Sequence, residues 1–140
     1  MQWSCENWRV SIAHYVYTAL DCANPFELAE FYSKITGLKI QPFDEGETAE
    51  TCEWLELLDE NNRTKMAFQK IDNYRAPTWP TGEMPQQVHM DFHAKDLDIA
   101  EREILAIGGR KAEHQVRPHR FRVYLDPAGH PFCIVQSDHD

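Results

Sequence analysis

The chain has 140 residues, and its 23 acidic and 14 basic side chains give it a formal net charge of −9. This length supports one domain with its own core, and the negative charge argues against nucleic acid and anionic membranes as partners. Because no apolar run approaches the ~20 residues that cross a bilayer, and the first ten residues show no secretory pattern, we expect a cytoplasmic protein.

The first half of the sequence predicts a strand, a helix and then three strands. Residues 11–20 are rich in Ile, Tyr, Val and Thr, which favour a strand. Asn24 suits a helix N-cap and Pro25 the first helical position, and apolar residues then recur at helical spacing until Gly37. Further strands are predicted at residues 38–40, 51–58 and 65–71.

The second half predicts the same order of elements. A strand is expected at residues 88–93, Asp96 suits an N-cap, and the glycines at positions 108 and 109 end the helix that follows. Strands are then expected near residues 110–115, 119–125 and 131–136, where apolar and polar side chains alternate or an apolar run follows a turn. The chain therefore contains two similar series of elements.

A constant offset relates the two halves. Moving along the sequence by 72 positions sets Asn24 on Asp96 and Gly37 on Gly109. We interpret this register as a structural duplication within a single α+β domain that spans residues 1–140. The first βαβββ module covers about residues 11–72, a proline-rich linker about 73–86, and the second module about 87–136.

Four segments of the chain resemble one protein family. They are LDCANPFELAEFY, APTWP, PQQVHMDF and DPAGHPFCIV, in this order. They are similar to the glyoxalase-like branch of the vicinal-oxygen-chelate superfamily, which also includes bleomycin resistance proteins and dioxygenases. The resemblance implies two βαβββ modules whose mixed sheets roll into a cleft, often within a homodimer. Metal-dependent members place four ligands, usually His and Glu, on the first and last strands of each module.

The ligand positions that this resemblance implies are occupied by Tyr17, Gln69, His89 and Cys133. Only His89 is an ordinary strong ligand for a divalent ion, and it is also the candidate catalytic residue. Asp91 follows His89 by two residues on a strand, so it shares that face and offers an anionic oxygen. We also expect the linker residue Trp79 to cap a ligand cavity. The alternative is that it merely covers the sheet where the linker crosses it.

Two functions remain open at this stage. We expect a cleft protein that binds a small organic molecule, cationic or aromatic, with an incomplete or absent metal site and no cofactor. Its predicted ligand-binding residues are Tyr17, Gln69, Trp79, His89, Asp91 and Cys133. The alternative is a metal-dependent lyase, isomerase or dioxygenase in which His89 and Gln69 hold a divalent ion. A homodimer is expected in both cases, whereas a purely structural role would predict a closed cleft.

Overall fold

The computed structural model describes residues 11–137, which form the two predicted modules. The first module contains β1 (Thr18–Cys22), α1 (Pro25–Thr36), β2 (Lys39–Ile40), β3 (Trp54–Leu58) and β4 (Thr64–Lys70). The second contains β5 (Met90–Ala94), α2 (Leu97–Ala106), β6 (Arg110–Lys111), β7 (Phe121–Leu125) and β8 (Pro131–Gln136). The predicted α+β fold with two βαβββ modules is therefore confirmed.

Each module builds one mixed sheet of four strands. The strand orders are β1-β4-β3-β2 and β5-β8-β7-β6, so the two sheets have the same topology. In each sheet the first and last strands of the module run parallel, and the other neighbours run antiparallel. Strands β1 and β5 consequently lie at the outer edge of their sheets, each with one neighbour.

Both helices begin at the predicted caps. The side chain of Asn24 accepts a hydrogen bond from the backbone N–H of Glu27, and Pro25 occupies the first turn of α1. The carboxylate of Asp96 accepts from the backbone N–H groups of Asp98 and Ile99. These contacts satisfy amide groups that have no partner inside the helix, and they start α1 and α2 at equivalent points of the duplication.

The two helices end differently, and this corrects the predicted equivalence of Gly37 and Gly109. Gly37 has a left-handed φ of 77° at the end of α1, but in α2 the positive φ of 101° belongs to Gly108. Gly109 is required for another reason. A Cβ atom there would lie 2.4 Å from Cγ2 of Ile104, so the chain passes too close to α2 for a side chain.

A single core joins the modules, because α1 packs on both sheets. The ring of Tyr32 stacks on Phe68 of the first sheet and on Phe92 of the second, at centroid distances of 5.9 and 6.0 Å. The hydroxyl of Tyr32 also donates a 2.6 Å hydrogen bond to the buried carboxylate of Asp126 in the second module. The helix-bearing sides of both sheets are therefore buried together.

The first strand is shorter than the predicted range of residues 11–20. Strand β1 begins at Thr18, which pairs with Met66, and β4 itself begins only two residues earlier at Thr64. The register between β3 and β4 also shifts between Leu57 and Leu58. Residues 11–15 therefore extend beyond the start of β4, the strand that would hold them in a sheet.

Local turns explain two other strand boundaries. Strand β3 begins at Trp54 rather than residue 51, because the backbone N–H groups of Thr51 and Cys52 both donate to the carbonyl of Thr48. Strand β7 begins at Phe121 rather than at residue 119, because the backbone N–H of Phe121 closes a turn by donating to the carbonyl of Arg117. Strand β5 is displaced from the predicted residues 88–93 to residues 90–94.

Strand β6 contains two residues, whereas the prediction extended it to residue 115. The side-chain amide of Gln115 accepts from the backbone N–H of Val123 and donates to its carbonyl oxygen, both at 3.0 Å or less. The backbone N–H of Ala112 still donates to the carbonyl of Val123, but the side chain of Gln115 replaces the Ala112 carbonyl as acceptor for the Val123 N–H, which the strand pattern could not indicate.

The segment between the modules contains one isolated bridge, between Thr78 and Pro85, and no strand or helix. Neither of the helices in residues 11–137 is long and apolar enough to cross a membrane.

Candidate functional site

Each sheet has one side that no helix covers. Residues paired between neighbouring strands define this side. In the first sheet, Asp21, Gln69 and Trp54 lie next to one another on three neighbouring strands. We call this side face one. In the second sheet, Asp91, Cys133 and Val123 are neighbours in the same way, and we call this side face two. Side chains that alternate with them point into the core.

Face two carries a compact group of possible metal ligands. Nδ1 of His89 lies 3.1 Å from Oδ1 of Asp91, although their positions are separated by two residues along the chain. One ligand atom from each of His89, Asp91 and Cys133 can be chosen so that all three lie within 4.8 Å of one another. The side chains of His89 and Asp91 are 56% and 53% exposed, so a molecule arriving from solvent could reach them.

The surroundings of the Cys133 thiol favour its protonated form. Burial, followed by the charge of Asp91 and a hydrogen bond to it, raises the pKa of this thiol from 9.0 to about 11. At pH 7 roughly one such thiol in ten thousand would be ionised. The raised pKa makes Cys133 a weak nucleophile at neutral pH.

Face one presents aromatic rings beside carboxylates. The ring of Tyr17, just before β1, contacts that of Trp54 edge-on with centroids 6.2 Å apart. The indole N–H of Trp54 donates to Glu56 at 3.2 Å, and the hydroxyl of Thr64 donates to the same carboxylate at 2.9 Å. Trp54 is 37% exposed. An aromatic surface with an oriented negative charge next to it suits a cationic or aromatic ligand.

Sequence reasoning missed Trp54 and Glu56. The available signal was the alternation in residues 54–58, where Leu55 and Leu57 are buried and the residues between them point away from the core. The sequence does not reveal the strand register that places Trp54 directly opposite Gln69. That pairing is a tertiary property, because the two residues belong to different strands.

The predicted ligand-binding residues fall into three groups. Tyr17 and Gln69 belong to face one, whereas His89, Asp91 and Cys133 belong to face two. Trp79 lies in the segment between the modules, and its ring contacts that of His114 at a centroid distance of 5.7 Å. Whether these groups share one ligand therefore stays a prediction.

Each of the two largest cavities described for the chain touches only one of these faces. One of about 880 Å³ is bounded by both helices and β5, and Asp91 is the only predicted ligand-binding residue that lines it. Another, of about 600 Å³, lies along β1 and is covered by the linker, with His130 at its end. Neither cavity is bounded by both faces. Within a single chain, faces one and two therefore do not enclose either of these cavities between them.

The side chains of His89, Asp91 and Cys133 on face two are of types that bind divalent metal ions. An imidazole, a carboxylate and a thiolate suit borderline ions such as Zn²⁺ better than Mg²⁺ or Ca²⁺, which prefer oxygen ligands. A three-residue set would leave coordination positions for a ligand oxygen. Binding would require Cys133 to lose its proton, which the raised pKa opposes at neutral pH.

Comparisons with known proteins agree with this architecture. Residues 17–135 match the sequence profile of a family described as a glyoxalase-like domain. None of the curated protein sequences compared with the chain matches it.

Similar solved structures include the fosfomycin resistance protein FosX from Mesorhizobium loti, which is 12% identical with a TM-score of 0.62 over 91% of this chain and 94% of that chain. FosX from Listeria monocytogenes is 15% identical with a TM-score of 0.62, over 91% and 93% of the two chains. An integron cassette protein from V. cholerae is 17% identical with a TM-score of 0.57, over 94% and 100%. At these identities the likeness shows the fold alone.

Proposed function

Because this chain belongs to the family of glyoxalase-like domains, we propose that it binds a small organic molecule between face one and face two, without a tightly held metal ion. The observation that carries this proposal is that each sheet has exposed polar or aromatic side chains on the side that faces away from the buried core, as Trp54 shows in the first sheet and Asp91 in the second. Face one presents the rings of Tyr17 and Trp54 with the carboxylate of Glu56, and face two presents the imidazole of His89 with the carboxylate of Asp91.

Face one suggests the chemistry of the ligand. The rings of Tyr17 and Trp54 and the carboxylates of Asp21 and Glu56 would together attract a planar cation, through the negative face of the rings and through charge. The overall charge of −9 favours the same class of ligand. We therefore assign a cationic aromatic molecule, rather than an anion, to this surface.

A binding experiment with two defined dyes tests this proposal. Ethidium, a planar cation, should bind and quench tryptophan fluorescence, whereas 2-naphthalenesulfonate, an aromatic anion, should bind at least about tenfold more weakly. Trp54→Ala and Glu56→Gln should each weaken ethidium binding about five- to tenfold. Ile99→Ala removes a comparably exposed apolar side chain from α2 and should leave the affinity unchanged.

The outcome of this experiment is decisive in both directions. Equal affinity for the two dyes, or an affinity for ethidium that survives both substitutions on face one, would contradict the proposed ligand class. A parallel measurement with Trp79→Ala decides whether the linker residue also borders the bound molecule, as the sequence predicts.

A metal-dependent lyase, isomerase or dioxygenase is the second candidate, and the ligand group on face two favours it. In that case His89, Asp91 and Cys133 would hold the ion, with Gln69 as the further predicted ligand. A bound ion would supply Lewis-acid polarisation of a substrate oxygen. The chain itself would contribute the orientation of His89 through its contact with Asp91, as carboxylates orient metal-binding imidazoles in general.

Metal content separates the two candidates. Protein incubated with Zn²⁺ and then dialysed should retain no stoichiometric ion if the first proposal holds, because Cys133 must lose a strongly held proton. Retention of about one ion per chain, lost in both His89→Ala and Cys133→Ser but kept in the exposed control His119→Ala, would establish the metal-dependent candidate instead.

A further inference from the structure

Helix α2 covers its sheet less completely than α1 covers the equivalent sheet. Five residues of α1 are buried, compared with two of α2, Leu97 and Ile104. The space beside α2 is the cavity of about 880 Å³, which lies between the two helices and against β5 and β8. Its volume is in the range of pockets that hold small organic ligands. This cavity lies on the helix-bearing side of the second sheet and is distinct from face one.

The internal duplication explains where this space comes from. The 72-residue offset places Ala100 at the position of Leu28, and Glu103 at the position of Phe31. Leu28 and Phe31 are 1% and 2% exposed and belong to the shared core. Their counterparts in α2 are a small and a charged side chain, and both line the cavity. The helix face that fills the core in the first module therefore leaves space in the second.

The sheet beneath the cavity differs in the same direction. Phe68 and Ile134 occupy equivalent places, because each pairs with the middle residue of the first strand of its module, Leu20 in one case and Phe92 in the other. Ile134 is smaller than Phe68 and lines the cavity. Phe92 is larger than Leu20 and offsets part of this difference. Three differences between the modules, at positions 100, 103 and 134, thus lie around the cavity.

The border of the cavity favours a positive charge. Its charged or titratable side chains are those of Lys34, Asp91, His93 and Glu103. The ammonium group of Lys34 lies 3.7 Å from the carboxylate of Glu30 on the same helix, so its charge is partly balanced. Residues from the last turns of both helices also line the cavity, and helix C-terminal ends carry a partial negative charge. Glu103 adds a full negative charge to the last turn of α2, which contains no basic residue.

We propose that this cavity binds an aliphatic ammonium ion, with the alkyl chain on the apolar floor and the charged head beside Glu103. The floor consists of Phe92, Ala94, Ile104 and Ile134. An alkyl chain placed there leaves water, which is favourable in proportion to the apolar area that it buries. The head remains at the open border, where it keeps part of its hydration. The proposal concerns a second site and does not rest on the ligand proposed for face one.

Isothermal titration calorimetry with two amphiphiles tests this proposal. n-Decylammonium should bind at about one molecule per chain, whereas decanoate, with a similar chain and the opposite charge, should bind at least about fivefold more weakly. Glu103→Gln should weaken decylammonium binding about three- to fivefold and reduce the difference between the two amphiphiles. Glu60→Gln removes the same charge from an exposed turn and should leave the affinity within about twofold of the wild-type value.

Filling the cavity provides an independent test. Ala100→Leu restores the side chain found at the equivalent place in α1 and should weaken decylammonium binding at least about tenfold without lowering the thermal midpoint. Ala100→Ser keeps the side chain small and should retain the affinity within about twofold. Ile134→Phe fills the cavity from the sheet and should act like Ala100→Leu. Circular dichroism establishes that each variant is folded, and Glu103→Gln, at an exposed position, decides the matter if neither filling variant folds.

Three results would each overturn the proposal. They are a lack of saturable decylammonium binding, equal affinity for decanoate, and an unchanged affinity in the folded filling variants. Trp54→Ala on face one should leave decylammonium binding unchanged, and Ala100→Leu should leave ethidium binding unchanged. Failure of this proposal is therefore distinguishable from failure of the function proposed for the two faces.

Discussion

The surroundings of Cys133 favour its protonated form. Asp91 contributes to this by raising the pKa of the thiol. Asp91 approaches both His89 and the thiol, and its negative charge raises the pKa of Cys133 beyond the increase that burial alone causes. The folded-state pKa of about 11 exceeds the ordinary value of 9.0. The stability that this thiol contributes is therefore complete below pH 9 and is lost as the pH rises through about 11.

Removing the charge of Asp91 should make Cys133 more reactive. In Asp91→Asn we expect a lower pKa of the thiol and alkylation by iodoacetamide about three- to tenfold faster at pH 8, because only the thiolate reacts. Mass spectrometry of the modified peptides measures each cysteine separately. Cys22, whose pKa burial raises to about 12, serves as the internal control and should react slowly in both proteins. Unchanged alkylation of Cys133 would show that Asp91 does not govern it.

The sequence predicted the place of a site residue correctly where strand alternation or the family resemblance defined it. Alternation predicted that His89 and Asp91 lie on one side of the chain, and the structure, where His89 lies just before β5, brings their side chains to 3.1 Å. The pairing of Trp54 with Gln69, and the burial of Asp126 under Tyr32, join distant parts of the chain. Such contacts depend on tertiary packing, so no local pattern indicates them.

At the scale of elements, helices were predicted more accurately than strands because their ends are encoded locally. Asn24 and Asp96 cap through their own side chains, and the helices begin one residue later as predicted. Strand ends depend on partners instead. Strand β6 stops where the side chain of Gln115 replaces one backbone acceptor, and residues 11–15 lie beyond the start of the neighbouring strand β4.

The caps should contribute measurably to stability. Asp96→Ala leaves the N–H groups of Asp98 and Ile99 without their side-chain acceptor and should lower the free energy of unfolding by about 1 kcal/mol. Asn24→Ala should have a similar effect through Glu27. Urea unfolding monitored by circular dichroism measures both. Glu60→Ala, in an exposed turn, is the control and should stay within about 0.5 kcal/mol of the wild-type value.

At the scale of the whole molecule, duplication in sequence does not mean two independent units. Helix α1 belongs to the first module, yet Tyr32 stacks on Phe92 and Phe31 contacts Phe132, both in the second module. Residues of both modules therefore form one buried cluster. The 72-residue register predicted the two units correctly, but it could not show which side of each sheet would be shared.

This shared core predicts that the modules unfold together. If either sheet separated, α1 would lose part of its packing and the carboxylate of Asp126 would lose the hydroxyl of Tyr32, so a half-folded chain would be unstable. Thiol labelling along a urea gradient can follow each module separately, through Cys22 in β1 and Cys133 in β8. Both should become reactive at the same urea concentration as the circular dichroism signal is lost. Exposure of one cysteine well before the other would show that the modules unfold in separate steps, and that α1 stabilises its own sheet more than it links the two.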